Sequence, residues 1–413
     1  MRIGFFEDSF CHNFQPLVRL RPVFDLRSGI FLLREKTQIR FPHLSTSFFV
    51  RDIIQPLIAA QYPDIPVNNP VPDDYLLVNG RLLSNHSFFN FISDLQDNTI
   101  VYIKNEIAAV RIKPGSVGLL RYDSEGLPSF EGCRGFKQLH YESPGPLMVH
   151  YPWELISING SQIEADFRIS PGAGFCDGLL EEGAYLLESN KIYIARGARI
   201  FPGVVISAEN GPVFIDEGVT VFPNTFIQGP VYIGANCLVK AGSKIYGGTS
   251  AGPVCKIGGE IEGSIFHSFS NKQHDGFLGH AYLGQWVNLG ADTNNSDLKN
   301  NYGNVKSYAN GIETDTGMQF MGLILGDHAK TGINTMLNTG TVGGIMSNIY
   351  GSGFPPKFIP DFSWGGADGL ATYQIDKAIE TAKIVMARRN IPMVPEMESL
   401  IRHWFHVLNQ ASE

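Results

Sequence analysis

From Ile194 to Ile245 a branched aliphatic residue returns every six positions. Ile194, Ile200 and Ile206 form a first run. After a step of nine come Ile215, Val221, Ile227, Ile233, Val239 and Ile245. An α-helix repeats at 3.6 residues and a strand at two, so neither explains a period of six. Three short flat sides of six residues, closing a coil in about eighteen, do explain it. The aliphatic residue then points into a triangular prism. Small residues behind it, as in Gly234-Ala235 and Ala241-Gly242, let the chain turn corners. The expected architecture is a left-handed parallel β-helix of the hexapeptide kind.

The period weakens beyond Ile245. It resumes at Ile257, again at Leu283 and Leu289, and near Leu325 and Leu337. The stretch between Leu289 and Leu325 is rich in Asn and Gly and reads as a loop extruded from the prism. Departures of this kind on a rigid scaffold are often functional. Upstream, Arg2–Glu7, Tyr75–Val78 and Thr99–Ile103 read as buried strands, and 48–60 and 87–97 as helices. A partly helical linker over 153–167 leads into the repeats. Downstream, 372–389 and 397–408 carry helical apolar stripes and are expected to cap or flank the β-helix. The chain therefore divides into an α/β domain over 1–168, a β-helix over 169–353 and a helical extension over 354–413.

A formal net charge of −8 disfavours a nucleic-acid partner. The five cysteines are odd in number and scattered without a CxxC pair, so reduced thiols and a cytoplasmic setting are expected. Glu7 and Asp8 stand where a signal peptide needs an apolar run, and no run is long enough to span a membrane.

A regular prism has little chemistry of its own. Its flat faces pack on copies of themselves, which makes a homotrimer the expected assembly. His274 lies at a break in the period and is the candidate base, since an imidazole titrates near neutrality. Asp292 follows it by eighteen residues, one regular coil, and is a candidate to orient it. His267 and His280 lie at steps of seven and six from His274. Neither step stacks residues, so no metal site is expected.

From about Lys256 to Gly353 the chain resembles the acetyltransferase half of the bifunctional GlmU enzymes, which make UDP-N-acetylglucosamine. The resemblance rests on His274, on Phe277-Leu-Gly279 and on Tyr282-Leu-Gly-Gln-Trp-Val-Asn-Leu-Gly-Ala-Asp-Thr293. It implies that His274 is the catalytic base, with Glu260 as a second candidate orienter beside Asp292. It implies that Asn288 binds the sugar and that the main chain at Ala291 meets the thioester end of acetyl-CoA or another acyl-CoA. CoA would run on toward Gly332 and Gly351. Asn301 lies in the insert, where the family also extrudes a substrate-contacting loop. Glu262 stands where the family carries a phosphate-binding lysine, and Phe277 where it has a tyrosine. A carboxylate repels phosphate by about 1 kcal/mol or more, so the acceptor is expected to be an amino sugar phosphate or nucleotide-linked amino sugar other than glucosamine 1-phosphate.

The first domain resembles the sugar nucleotidyltransferase half, an α/β, Rossmann-type fold. Its Gly-rich phosphate loop is replaced by Glu7-Asp-Ser-Phe-Cys-His-Asn13, and Arg81 occupies the place of a magnesium-binding aspartate. Acids are wrong for a phosphate cradle and a cation is wrong for Mg²⁺. Arg19, Arg21, Arg27 and Lys36 are the candidates to grip phosphate instead. Mg²⁺ would be required only if this domain is active. Three functions stand open at this point: acyl transfer in cell envelope biosynthesis, nucleotidyl transfer, and a non-catalytic trimeric sugar-nucleotide-binding scaffold.

Overall fold

The structure is a computed structural model that describes residues 1–83, 85–142, 148–170 and 174–410. The first domain is a six-stranded sheet of β1 (Arg2–Phe6), β2 (Ser45–Phe49), β3 (Tyr75–Asn79), β4 (Thr99–Ile103), β5 (Glu106–Ile112) and, after a two-residue pair β6 (Arg121–Tyr122) and β7 (Pro128–Ser129), β8 (Lys137–His140). The order is β2-β1-β3-β5-β4-β8, with β5 antiparallel to its neighbours and the remaining pairings parallel. Helices α1 (Leu33–Arg40), α2 (Gln55–Gln61) and α3 (His86–Ser93) accompany the sheet. The helix expected from residue 48 begins only at Gln55, because Phe48 and Phe49 complete β2. Pro56 then sits in the first turn of α2, where its missing N–H costs nothing.

Helix α4 (Pro152–Ile169) leads into a parallel β-helix of the left-handed type. Its first face runs through Tyr185–Leu187, Val205–Ser207, Phe226–Gln228, Lys244–Ile245, Glu260–Glu262 and Phe277–Gly279. The second face starts at Ile192–Ile194 and continues to Leu323–Leu325, Thr341–Gly343 and Phe358–Ile359. The third face starts at Leu179–Leu180 and reaches Asn271–Lys272, then passes through Asn288 to Lys330–Thr331, Asn348–Ile349 and Ser363–Gly366. Parallel pairing thus runs on past residue 353, and Gly369–Thr372 closes the third face by antiparallel pairing. Every aliphatic residue of the six-residue series from Ile194 to Ile245 is fully buried.

The pairing also explains why the period fades. Inward positions continue as Ala251, Ile257, Ile261, Phe266, Lys272, Leu278, Leu283, Leu289 and Asn295. Some sides have shrunk to four or five residues, and polar Lys272 and Asn295 replace aliphatic ones. The Asn-rich insert leaves after Asn295. It forms a hairpin, Lys306–Ala309 with Ile312–Asp315, that packs on the 3₁₀ turn Ser9–Phe14 of the first domain.

Helices α5 (Ile375–Ala387) and α6 (Pro395–Gln410) do not close the end of the prism. Ala378, Ile379, Ala382 and Met386 of α5, with Leu400 and Ile401 of α6, join a core that contains Phe48 and Ile54 of the first domain and Trp286 and Phe362 of the β-helix. The helices therefore flank the prism and tie it to the first domain. Residues 14–26 of that domain cover the second face at Ile265, Tyr282, Ile324 and Val342.

Candidate functional site

His274 lies in the corner Gln273–Gly276, between Asn271–Lys272 on the third face and Phe277–Gly279 on the first. The side chain is exposed and, among the described residues, holds no side-chain hydrogen bond or ion pair. The next coil is seventeen residues long, since Asn271 pairs with Asn288 and the Phe277 amide donates to Asn294 Oδ1 (2.7 Å). Ala291, not Asp292, therefore stacks on His274. Asp292 donates its amide to the Asp275 carbonyl (3.1 Å) and accepts a hydrogen bond from Asn294 Nδ2 at 3.2 Å. The one-coil register expected between His274 and Asp292 is thus corrected by one residue. Glu260 is on the first face and pairs with Lys244 (3.3 Å). Neither acid is hydrogen-bonded to the imidazole. His267 and His280 are engaged elsewhere, with the Asp25 carbonyl (2.7 Å) and the Asp297 carboxylate (2.8 Å).

Lys272 holds this corner. It occupies an inward prism position above Ile257 and is 1% exposed. Its ammonium donates to the His274 carbonyl (2.5 Å) and the Asp275 carbonyl (2.9 Å). Burial pushes its pKa down to about 8, against the opposing pull of Asp275 and Asp292. Gly259 is required beneath it. A Cβ there would lie 2.9 Å from Lys272 Nζ, and the backbone has φ +76°.

The same corner continues through the later coils. Gly290 packs directly beneath the Gly332 carbonyl, and Gly332 beneath Tyr350, next to Gly351. His274, Ala291, Gly332 and Gly351 consequently line one edge of the prism. The Ala291 carbonyl accepts from the Asn334 amide (2.8 Å), while its own amide donates to no partner among the described residues. Phe277 and exposed Glu262 are on the adjacent first face. Asn288 is on the third, accepting from Asn271 Nδ2 (3.3 Å). Asn301 is exposed in the insert, where it accepts from the Gly303 amide (3.1 Å), and no hydrogen bond joins it to the His274 corner.

Beside this edge, under helix α5, is a cavity of about 290 Å³. Asn271, Gln273 and Asn288 line it together with Lys256 and Lys330 of the third face. Arg388 and Arg389, just beyond α5, complete the wall. Sequence reading missed these four cations. They are far apart in the chain, and only the position of α5 brings them together.

In the first domain the acids in the phosphate loop are neutralised by the protein itself. Glu7 is fully buried, accepts from the Val23 amide (2.9 Å) and pairs with Arg51 Nε (3.0 Å). Arg81 is equally buried, bonding Asp8 at 2.8 and 2.6 Å, Glu106 at 2.5 Å and the Val149 carbonyl at 2.7 Å. Arg19, Arg21, Arg27 and Lys36, the candidates to grip phosphate, all meet groups of the protein itself. Arg19 pairs with Asp361 (3.0 Å) and lies over the Trp404 ring. Arg21 is buried against Asp327. Arg27 donates to the Ile30 carbonyl, and Lys36 pairs with Asp166. Arg19 and Arg21 fasten the first domain to the β-helix, and Lys36 fastens α1 to α4.

Residues 3–171 match the family model described as sugar nucleotidyl transferase. The bifunctional protein GlmU of Rippkaea orientalis is 31% identical over 148 residues, 35% of this chain and 28% of that protein. Over that stretch the chain is similar to GlmU. GlmU of Synechococcus elongatus is 30% identical over 125 residues, 30% of this chain and 24% of the relative. The match thus spans about a quarter of the length of these GlmU relatives. Among solved structures, the Arabidopsis UDP-N-acetylglucosamine acyltransferase is similar at 12% identity and a TM-score of 0.25, covering 52% of this chain and 78% of its own. A score that low adds nothing to the architecture already read from the strand pairing.

Proposed function

We propose that this GlmU-like chain is an acyl-CoA-dependent transferase that acylates the amino group of a sugar carrying phosphate or a nucleotide. The observation that carries the reading is the single edge on which an exposed, unpartnered His274 sits directly below Ala291 with its free amide. His274 is the general base: it takes a proton from the amine as nitrogen attacks the thioester carbonyl, and returns one to the departing thiolate. The Ala291 amide donates to the oxyanion that forms at that carbonyl. Lys272 is a positioning residue that fixes the backbone carrying His274 through two carbonyls. Asn288 holds sugar hydroxyls, and acetyl-CoA, which supplies the acyl group, lies toward Gly332 and Gly351.

Glu260 and Asp292 set the field around the edge without touching the imidazole. Assembly as a homotrimer belongs to the same reading. The second face is covered by α4 and by residues 14–26, and the later third face by α5, so the first face and the early third face are left for other copies. The first domain is proposed as a scaffold rather than a second enzyme, because its loop acids and cations already satisfy one another. Release of free CoA from acetyl-CoA in the presence of amino sugar phosphates, and its loss on His274→Ala, tests the proposal.

A further inference from the structure

Lys256, Lys330, Arg388 and Arg389 face one cavity, and none of the four has an ion-pair partner among the described residues. No aspartate or glutamate lines the space. Four arginines elsewhere differ in this respect. Arg19, Arg21, Arg51 and Arg81 each find a carboxylate within 3.0 Å. Gathering unpaired like charges costs folding energy rather than supplying it. Burial lowers the Lys256 pKa, and Arg389, Arg388 and Lys240 lower it further. Lys330 is brought to about 8 by burial, with only the His328 carbonyl (2.9 Å) receiving its ammonium. An anion would relieve both.

The remaining wall is chemically different. Asn271, Gln273 and Asn288 present carboxamides, which donate and accept as sugar hydroxyls require. Trp286 and Phe269 stack on each other at 4.3 Å and form an apolar side. A volume of about 290 Å³ suits a phosphorylated monosaccharide and is small for a whole nucleotide sugar.

We infer that this cavity is a binding site for a phosphorylated sugar, its phosphate held by Lys256, Lys330, Arg388 and Arg389 and its hydroxyls by Asn271, Gln273 and Asn288. Gln273 precedes His274 in the chain, so the site lies beside the proposed base. It supplies on the third face the positive charge that Glu262 denies on the first. That the ligand held here is the acyl acceptor rests on the acyl-transfer reading. That a sugar phosphate is held here does not.

Calorimetric titration of the full chain with glucosamine 1-phosphate, glucosamine 6-phosphate and unphosphorylated glucosamine separates the two claims. At least one phosphorylated sugar is expected to bind about tenfold or more tightly than glucosamine. The double variant Arg388→Glu, Arg389→Glu, at exposed Arg388 and half-buried Arg389 beyond α5, should abolish that preference, and Lys330→Met should weaken it. Affinity should fall as pH rises through about 8, where Lys330 loses its proton. His274→Ala should leave the affinity unchanged, so a failure of acyl transfer is read separately from a failure of binding. Equal affinity for glucosamine and its phosphates, no binding of either phosphate, or full binding by the doubly reversed variant would overturn the inference.

Discussion

Arg21 and Asp327 join the two halves of the protein through a bidentate pair, Nη1 to Oδ1 at 2.9 Å and Nη2 to Oδ2 at 2.5 Å. Both side chains are buried, and Asp327 Oδ1 also accepts the Gln285 amide at 2.7 Å. Replacing Asp327 by Asn leaves a buried guanidinium without its counter-charge, a loss of about 3–5 kcal/mol. Thermal unfolding should show this as a clear fall in Tm. The double variant Arg21→Met, Asp327→Leu should recover much of it, because an apolar pair leaves no buried charge uncompensated.

The filled phosphate loop leads to a prediction about activity. With Mg²⁺, any nucleoside triphosphate and a sugar 1-phosphate, the wild-type chain should release pyrophosphate only at background rate. Glu7 and Asp8 stand in the loop as carboxylates committed to Arg51 and Arg81, where a phosphate would meet negative charge. Steady, Mg²⁺-dependent pyrophosphate release is the contrary outcome.

Lys272 gives the protein a pH signature. Its pKa is about 8 when folded, against 10.5 for an ordinary lysine. Below pH 8 both folded and unfolded chains hold this proton, and the fold bears the full penalty of burying it. Between about 8 and 10.5 the unfolded chain binds more protons, so stability rises with pH. The difference limits the effect to roughly 3 kcal/mol. Lys272→Met should flatten this rise in denaturant titrations, with Lys330 retaining its own share. Amide exchange at Gln273–Gly276 should quicken, because two carbonyl ties are gone.

The prism and its inward residues were legible because one chemical type repeats from Ile194 to Ile245 with a single longer step, between Ile206 and Ile215. The later coils were legible only in part. Lys272 and Asn295 occupy inward positions, so a search for aliphatic residues passes over them, and shortened sides break the count. A side one residue short is enough to move Asp292 off His274 and put Ala291 there. The two acids in the loop were readable as hostile to phosphate. Their partners, Arg51 and Arg81, were not, because both pairings depend on how strands β1, β2 and β3 lie side by side. The cationic cavity had no signal in the sequence. Lys256, Lys330 and the two arginines after α5 follow no shared spacing, and amphipathicity shows that α5 packs but not where.

Gly259 offers a check on the corner itself. Gly259→Ala would force a side chain into φ +76° and bring Cβ against Lys272 Nζ and the His274 carbonyl. A loss of about 1–3 kcal/mol in stability is expected, accompanied by a fall in kcat larger than any change in KM. Equal kcat with lowered stability would show that the corner's geometry does not matter to turnover.

The central claim is that His274 moves the proton in an acyl transfer. Its direct measurement is the steady-state release of free CoA from acetyl-CoA across a panel of amino sugar phosphates and nucleotide-linked amino sugars, for wild type and His274→Ala. The account predicts turnover with at least one acceptor, and a fall in kcat of roughly 10²–10⁴-fold in the variant. Tm should be unchanged, since the imidazole is exposed and bonds to no other side chain. Turnover by His274→Ala equal to wild type, with the acceptor identified, would contradict it.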